Sequence, residues 1–277
     1  MSVPNRSALP QSPLFLLPNT FRAFYGAFDT LHPIQQRAIE PILQGKNVII
    51  QSATGSGKTE AVLAPCLEGV ITAPAPAAIL YIVPTRALAV DIFRRFQTIV
   101  TERMGLTVAI RTGDLKKNGG GLPALMLSTP ESLDVMLGSA NPDIKRVIAR
   151  IDTVIIDEAH PLVHDYRGRH LVYLLRRLER RQNRRLQKIA LSATLADPND
   201  VGRFFGCGSD TVCMVEAVGR QIAPRLVHLL NDSHELIALL DDLYRKWDYH
   251  KIMIFANSRG RCDQIHEVLN RGSAFRN

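Results

Sequence analysis

Cysteine is scarce and carries no pairing pattern: the four in 277 residues, Cys66, Cys207, Cys213 and Cys262, include no CxxC pair and no histidine at zinc-site spacing. This argues against a disulfide framework and against a structural zinc site, leaving buried or idle thiols. Long apolar runs are also missing. The stretch Leu14-Phe-Leu-Leu17 is bracketed by Pro13 and Pro18, which is too short for a signal-peptide core or a membrane span. Internal repeats and low-complexity tracts are absent as well. The expectation is a cytoplasmic globular protein without a membrane partner.

What is present is ample for a packed core, with 46% hydrophobic residues in a chain long enough for one large domain or one domain and part of another. A net charge of +8 and a pI near 9.6 favour a polyanionic partner without identifying it. From residue 47 onward, short β-branched runs alternate with segments of helical periodicity. Asn47–Gln51, Ile79–Val83, Thr107–Ile110, Ala124–Ser128, Thr153–Ile156 and Lys188–Leu191 read as strands, Arg86–Arg103 and Arg169–Arg181 as helices. Thr72-Ala-Pro-Ala-Pro-Ala-Ala78 and Lys117-Asn-Gly-Gly-Gly-Leu-Pro123 read as loops. Such alternation predicts an α/β fold with a mainly parallel sheet covered on both faces. After Gly219 a second alternation begins: Pro224–Leu230 as strand, Ser233–Lys246 as helix, Lys251–Ala256 as strand and Gly260–Leu269 as helix.

The sharpest local feature is Ser52-Ala-Thr-Gly-Ser-Gly-Lys-Thr59, which follows the apolar strand Val48-Ile-Ile50 and opens a helix, the setting in which a P-loop works. Thr54, Gly55, Ser56 and Gly57 form a turn whose backbone N–H groups can approach phosphate. Lys58 supplies positive charge, and the Thr59 hydroxyl can reach Mg²⁺. Ser52 stands where the general pattern has glycine, and a small residue still permits the turn. A P-loop alone leaves kinases, GTPases and transporters open. The second half of the site is Val154-Ile-Ile-Asp157-Glu158, an acidic pair at the carboxyl end of an apolar strand. Asp157 is placed to support Mg²⁺ and Glu158 to orient and deprotonate an attacking water, with Lys58 as the third catalytic group.

With these motifs in hand, the chain resembles the superfamily 2 ATP-dependent helicases of DEAD/DEAH type. Pro33-Ile-Gln35 is similar to the Q motif, Pro84-Thr-Arg-Ala-Leu-Ala89 to motif Ia, Thr112-Gly-Asp114 and Ser128-Thr-Pro-Glu-Ser132 to motifs Ib and Ic, Asp157-Glu-Ala-His160 to motif II, and Ser192-Ala-Thr194 to motif III. Asp165-Tyr-Arg-Gly-Arg-His-Leu171 and Ile254-Phe-Ala-Asn-Ser-Arg259 resemble segments of the Lhr-like, or large helicase-related, proteins. The resemblance implies a RecA-like P-loop NTPase domain over residues 1–218, with a Q-motif segment at 20–45, and the start of a second RecA-like domain over 219–277. It implies ATP and Mg²⁺ as cofactors, adenine recognition by Gln35, and a single strand of DNA or RNA gripped through Thr85, Arg86, Gly113, Thr129 and Ser132. His160, Ser192 and Thr194 would couple the two ligands. Phe21, Phe24, Tyr25 and Phe28 include a candidate for stacking on adenine, while most of them read as core.

Blander roles compete. Gln35 can simply cap or pack a helix. The basic run from Arg176 to Arg185 can be a solvated helix face as readily as a nucleic-acid contact. His164, His170 and His228 read as structural. A remodelling ATPase without strand separation and a non-catalytic nucleic-acid-binding module are the alternative functions. No segment resembling motifs V and VI occurs in the sequence, so these residues alone are expected to bind nucleotide, hydrolyse it poorly and leave apolar surface around Ile252, Ile254 and Leu269 open. A separate polypeptide or a missing segment would then complete the second domain.

Overall fold

A computed structural model describes residues 12–53, 55–111, 115–118, 121–193, 197–216, 226–228, 233–247 and 252–271. The chain divides into two compact units, Met1–Gly219 and Arg220–Asn277.

The first unit opens with α1 (Pro13–Leu16), α2 (Phe21–Tyr25) and α3 (Pro33–Leu43), then alternates β1 (Val48–Gln51), α4 (Lys58–Thr72), β2 (Ala78–Ile82) and α5 (Arg86–Thr98). The hairpin β3 (Val108–Arg111) and β4 (Leu115–Asn118) follows, then β5 (Leu125–Ser128), α6 (Pro130–Gly138), α7 (Pro142–Arg150) and β6 (Ile151–Ile156). After a short 3-10 turn at His160–Leu162 come α8 (Tyr166–Gln182), β7 (Gln187–Ser192), α9 (Pro198–Phe205) and β8 (Val212–Val215). The strands form one sheet in the order β4-β3-β5-β2-β6-β7-β1-β8, all parallel except β4, which pairs antiparallel with β3. β2, β5 and most of β6 are buried on both faces, as a sheet with helices on each side requires. One core joins α2 to α5 to the sheet and the other joins α6 to α9 to its opposite face.

Helix starts are written locally. Thr85 caps α5, Thr129 caps α6 with Pro130 behind it, Asn141 caps α7, Asp165 caps α8 and Asp197 caps α9. Each side-chain oxygen accepts a backbone N–H that the helix itself leaves unpaired.

The six expected strands and both expected helices of this unit are present, with shifted ends. Two strands were not anticipated. β8 is a short edge strand beside β1. β4 takes in Lys117 and Asn118, which the sequence places in a loop; its Leu-Lys-Lys-Asn composition has no strand signature and its pairing with β3 supplies the ladder.

In the second unit, α10 (Ser233–Trp247) and α11 (Arg259–Arg271) match expectation. The expected strand at Lys251–Ala256 is not formed: Ile252–Ala256 is unpaired, because no described strand lies alongside to complete a ladder. Leu226–His228, within the other expected strand, is likewise unpaired, and the rest of that segment lies outside the described residues. Ile254 is exposed together with Met253 and Phe255, while Ile252 and Leu269 are half-buried. Among the described residues, no helix is long and apolar enough to cross a membrane.

Candidate nucleotide site and nucleic-acid interface

Five of the site-bearing loops leave the carboxyl ends of neighbouring strands. Along the sheet the order β5-β2-β6-β7-β1 sets motif Ic and motif Ia side by side, then motif II, motif III and the P-loop. This is the edge at which open α/β sheets place their ligands.

The P-loop turns on two glycines with left-handed backbones, Gly55 at φ 82° and Gly57 at φ 78°. A Cβ at Gly57 would stand 2.4 Å from Gln35 Nε2, so any other residue would both strain the backbone and displace the Gln35 amide. The hydroxyls of Ser52 and Ser56 meet at 2.6 Å across the turn. Lys58, first residue of α4, donates from Nζ to the carbonyls of Ser52 and Ala53, the latter at 3.0 Å. Burial lowers its pKa, and the charges of Glu158, Asp157 and Glu216 oppose that shift. Thr54 lies outside the described residues.

Asp157 is only 8% exposed. Its Oδ2 accepts from the Tyr81 hydroxyl at 2.8 Å and its Oδ1 from the Glu158 N–H at 2.9 Å. Burial raises its pKa foremost; the Tyr81 hydrogen bond pulls the other way, and the Glu158 charge adds to the rise. Tyr81 is itself fully buried; burial and the Asp157 charge hold its hydroxyl pKa well above the ordinary value, and the Thr59 side chain opposes that rise. Asp157 and Lys58 act on each other's charge, which brings motifs I and II to a common point. Among the described residues no three His, Cys, Asp or Glu side chains converge as a cation cage. A hydroxyl, one carboxylate and phosphate oxygens are the donor set that suits Mg²⁺, which keeps much of its water.

Glu158 holds a left-handed backbone, φ 47°, which costs a non-glycine residue about 1–3 kcal/mol. Its Oε2 is shielded from solvent and lies 3.3 Å from His160 Nδ1 without an aligned hydrogen bond. The same His160 nitrogen is 3.2 Å from Ser192 Oγ. Motifs II and III thus meet on one imidazole, while Thr194 lies outside the described residues.

Gln35 takes the capping role: its Oε1 accepts the His32 N–H at 2.9 Å, while its Nε2 donates to Gly57 O at 3.4 Å. Of the four aromatics, Phe24 and Tyr25 are core and Phe21 packs against it, leaving Phe28, 67% exposed, as the available ring.

On the β2 and β5 side, Thr85 Oγ1 accepts the Leu88 N–H at 3.2 Å and Thr129 Oγ1 pairs with Ser132 at 3.2 Å. Thr85 and Arg86 are exposed; Thr129 and Ser132 are buried within their cap. The α5 and α6 N-termini stand at adjacent strand ends, and helix N-termini attract phosphate. Gly113 lies outside the described residues. Sequence reasoning missed Tyr81 and Arg167. A tyrosine in an aliphatic strand signals a hydroxyl that needs a buried partner. Arg167 donates from Nε to Glu131 at 2.8 Å and from Nη2 to Pro84 O at 2.8 Å, tying motif Ia to motif Ic.

Residues 32–201 match the DEAD/DEAH box helicase family, and the chain belongs to it. Its fold is the RecA-like P-loop fold of that family. Within that class its relatives are of Lhr type. It is 32% identical to the Lhr helicase/probable uracil glycosylase of Mycolicibacterium smegmatis, over 91% of this chain and 18% of that protein. It is 32% identical to the ATP-dependent helicase Lhr-Core of Methanocaldococcus jannaschii, over 90% of this chain and 32% of that one. The structure of Mycobacterium smegmatis helicase Lhr bound to ssDNA and AMP-PNP superposes with a TM-score of 0.76 at 28% identity, covering 94% of this chain and 36% of that chain. The chain spans a third or less of the length of these two curated relatives.

Proposed function

We propose that this chain binds ATP with Mg²⁺ and couples hydrolysis to movement along, or unwinding of, a DNA or RNA strand. The observation that carries the reading is the meeting of motifs I and II: buried Asp157 is held by the Tyr81 hydroxyl at 2.8 Å, and its charge, with that of Glu158, acts on Lys58 of the P-loop. When bound, Mg²⁺ supplies charge neutralisation at the β and γ phosphoryl oxygens. Lys58 exchanges its carbonyl partners at Ser52 and Ala53 for phosphate oxygens, a substitution favoured by an ammonium already half-desolvated. Glu158 orients and deprotonates the attacking water. Gln35 and Phe28 are assigned to adenine, with Gln35 holding the P-loop through Gly57. Thr85, Arg86 and Gly113 are assigned to phosphate contacts along the strand that do not read sequence, and Thr129 and Ser132 to the cap that presents the α6 N-terminus to the same strand. His160, Ser192 and Thr194 transmit the nucleotide state.

Residues 219–277 are assigned to the beginning of a second RecA-like domain, completed by a further segment or a separate polypeptide. That partner surface would supply the arginine on which fast phosphoryl transfer depends, worth about a thousandfold or more in rate. The 277 residues by themselves are therefore expected to bind ATP and turn it over slowly, in the cytoplasm of the cell. Single-turnover hydrolysis tests the assignment. Glu158→Gln should lower the rate about a hundredfold or more while ATP still binds. A variant as fast as the parent would remove Glu158 from the mechanism, and brisk strand-stimulated turnover by these residues alone would overturn their expected slowness.

A further inference from the structure

α8 leaves motif II and presents a face that the nucleotide site does not use. Tyr166, Arg169, Tyr173, Arg176 and Arg180 follow one another at spacings of three and four residues, which places them in one row along the helix. All five are exposed, the tyrosines to 77% and 64%. The opposite face, with Leu171, Leu174, Leu175 and Leu178, is buried in the core against the sheet.

The helix carries six arginines and one glutamate. The acids nearby are spent on its flanks. Arg167 pairs with Glu131 at 2.8 Å, His170 and Arg177 share Asp134 at 3.3 and 3.6 Å, and Glu179 pairs with buried Lys188 at 3.0 Å. The side chains of Arg169, Arg176 and Arg180 make no ion pair or hydrogen bond among the described residues. An ordinary solvated face accounts for long charged side chains; it does not account for two tyrosines set at its row positions, where their rings cost exposed apolar area. Guanidinium groups for phosphates, alternating with flat rings for bases, form a platform suited to a single strand.

The row also starts at the proposed path of that strand. Arg167, next to Tyr166, reaches Pro84 O and Glu131, so the first turn of α8 stands beside the caps of α5 and α6. From Tyr166 to Arg180 the row runs about 21 Å at 1.5 Å per residue.

We propose that this face of α8 is a second nucleic-acid contact, a stacking and phosphate-binding rail onto which a single strand continues after leaving the loops that follow β2 and β5. The proposal rests on nucleic acid being the partner, and the experiment separates the two claims. Fluorescence anisotropy with the 277-residue chain and a labelled oligothymidylate of about 20 nucleotides is compared with one of about 6, across a salt series. The triple variant Arg169→Ala, Arg176→Ala, Arg180→Ala should lose about tenfold or more in affinity for the longer strand, with the salt slope reduced by about 2, as expected for three lost phosphate contacts. The short strand should be affected far less. Tyr173→Ala should weaken the long strand about tenfold and Tyr173→Phe should restore it, since stacking needs the ring and not the hydroxyl. Unchanged unfolding midpoints show the variants are folded, as expected for exposed side chains. If the triple variant binds both strands as the parent does while Arg86→Ala weakens them, the rail is overturned and the face belongs to a protein partner or to solvent. If the parent binds neither strand, the nucleic-acid reading itself fails.

Discussion

Asp157 carries its charge where the protein alone makes that charge expensive. Burial holds its carboxyl above the ordinary value of 3.8, and the Tyr81 hydrogen bond offsets only part of the rise. The folded chain therefore binds this proton more tightly than the unfolded chain. Its contribution to stability is present at low pH and is lost as pH rises from the ordinary value through the raised one. Asp157→Asn keeps an acceptor for the Tyr81 hydroxyl and removes the charge. It should raise the unfolding midpoint at pH 7, by about 2–4 °C for each kcal/mol relieved, while abolishing Mg²⁺-dependent nucleotide binding. Differential scanning fluorimetry from pH 4 to 8 reads both signs: the gap between variant and parent should narrow toward pH 4. A variant less stable than the parent at pH 7 would mean the carboxylate is a net structural asset. The acidic pair and the P-loop were legible because phosphate chemistry fixes their residue types at short spacing. Tyr81 was not, because its partner lies 76 residues away and only the β2–β6 pairing brings them together.

At the scale of elements, α8 is seated by the absence of a side chain. A Cβ at Gly168 would lie 1.8 Å from the carbonyl oxygen of Leu162, in the 3-10 turn that follows motif II. Alanine is the better helix former by about 1 kcal/mol. Overpacking against a backbone atom costs about 1–3 kcal/mol and often more, so the clash should decide. Gly168→Ala is expected to lower the unfolding midpoint and to pull Arg167 from Pro84 and Glu131, weakening strand binding as well. Thermal melts and anisotropy check the two effects, and a midpoint equal to or above the parent's would show that α8 can back away freely. The expected strands and the helix opened by Thr85 were readable for a related reason, because aliphatic runs and a capping threonine carry their signals locally; α7 and α9, opened by Asn141 and Asp197, were not anticipated. β4 carries no such signal, being Leu-Lys-Lys-Asn, and takes its form from the edge of β3. Ile252–Ala256 has the opposite history, an apolar run with strand composition and no described neighbour to pair with.

For the first unit as a whole, strand order is what converts separate motifs into a coupled device, and strand order is the part least visible in sequence. β1 pairs with β7 and β8, and β2 with β5 and β6, so almost every neighbour is reached by a crossover. The result is a line of loops in which β2 would serve both ligands: Tyr81 within it holds Asp157, and Thr85 and Arg86 just beyond it are the residues proposed for the strand path. On the other side of β6, His160 joins Glu158 to Ser192. Two ligands biasing one connected set of groups must affect each other equally, whichever is bound first, typically by a factor of about 5–150. A non-hydrolysable ATP analogue should therefore change single-strand affinity by the same factor by which the strand changes analogue affinity. His160→Ala removes the group on which motifs II and III meet, and should bring that factor toward one. Four titrations, each ligand with and without the other, give the factor twice and test its reciprocity. A factor in the variant equal to the parent's would show that coupling runs through β2 and Tyr81 instead of through His160.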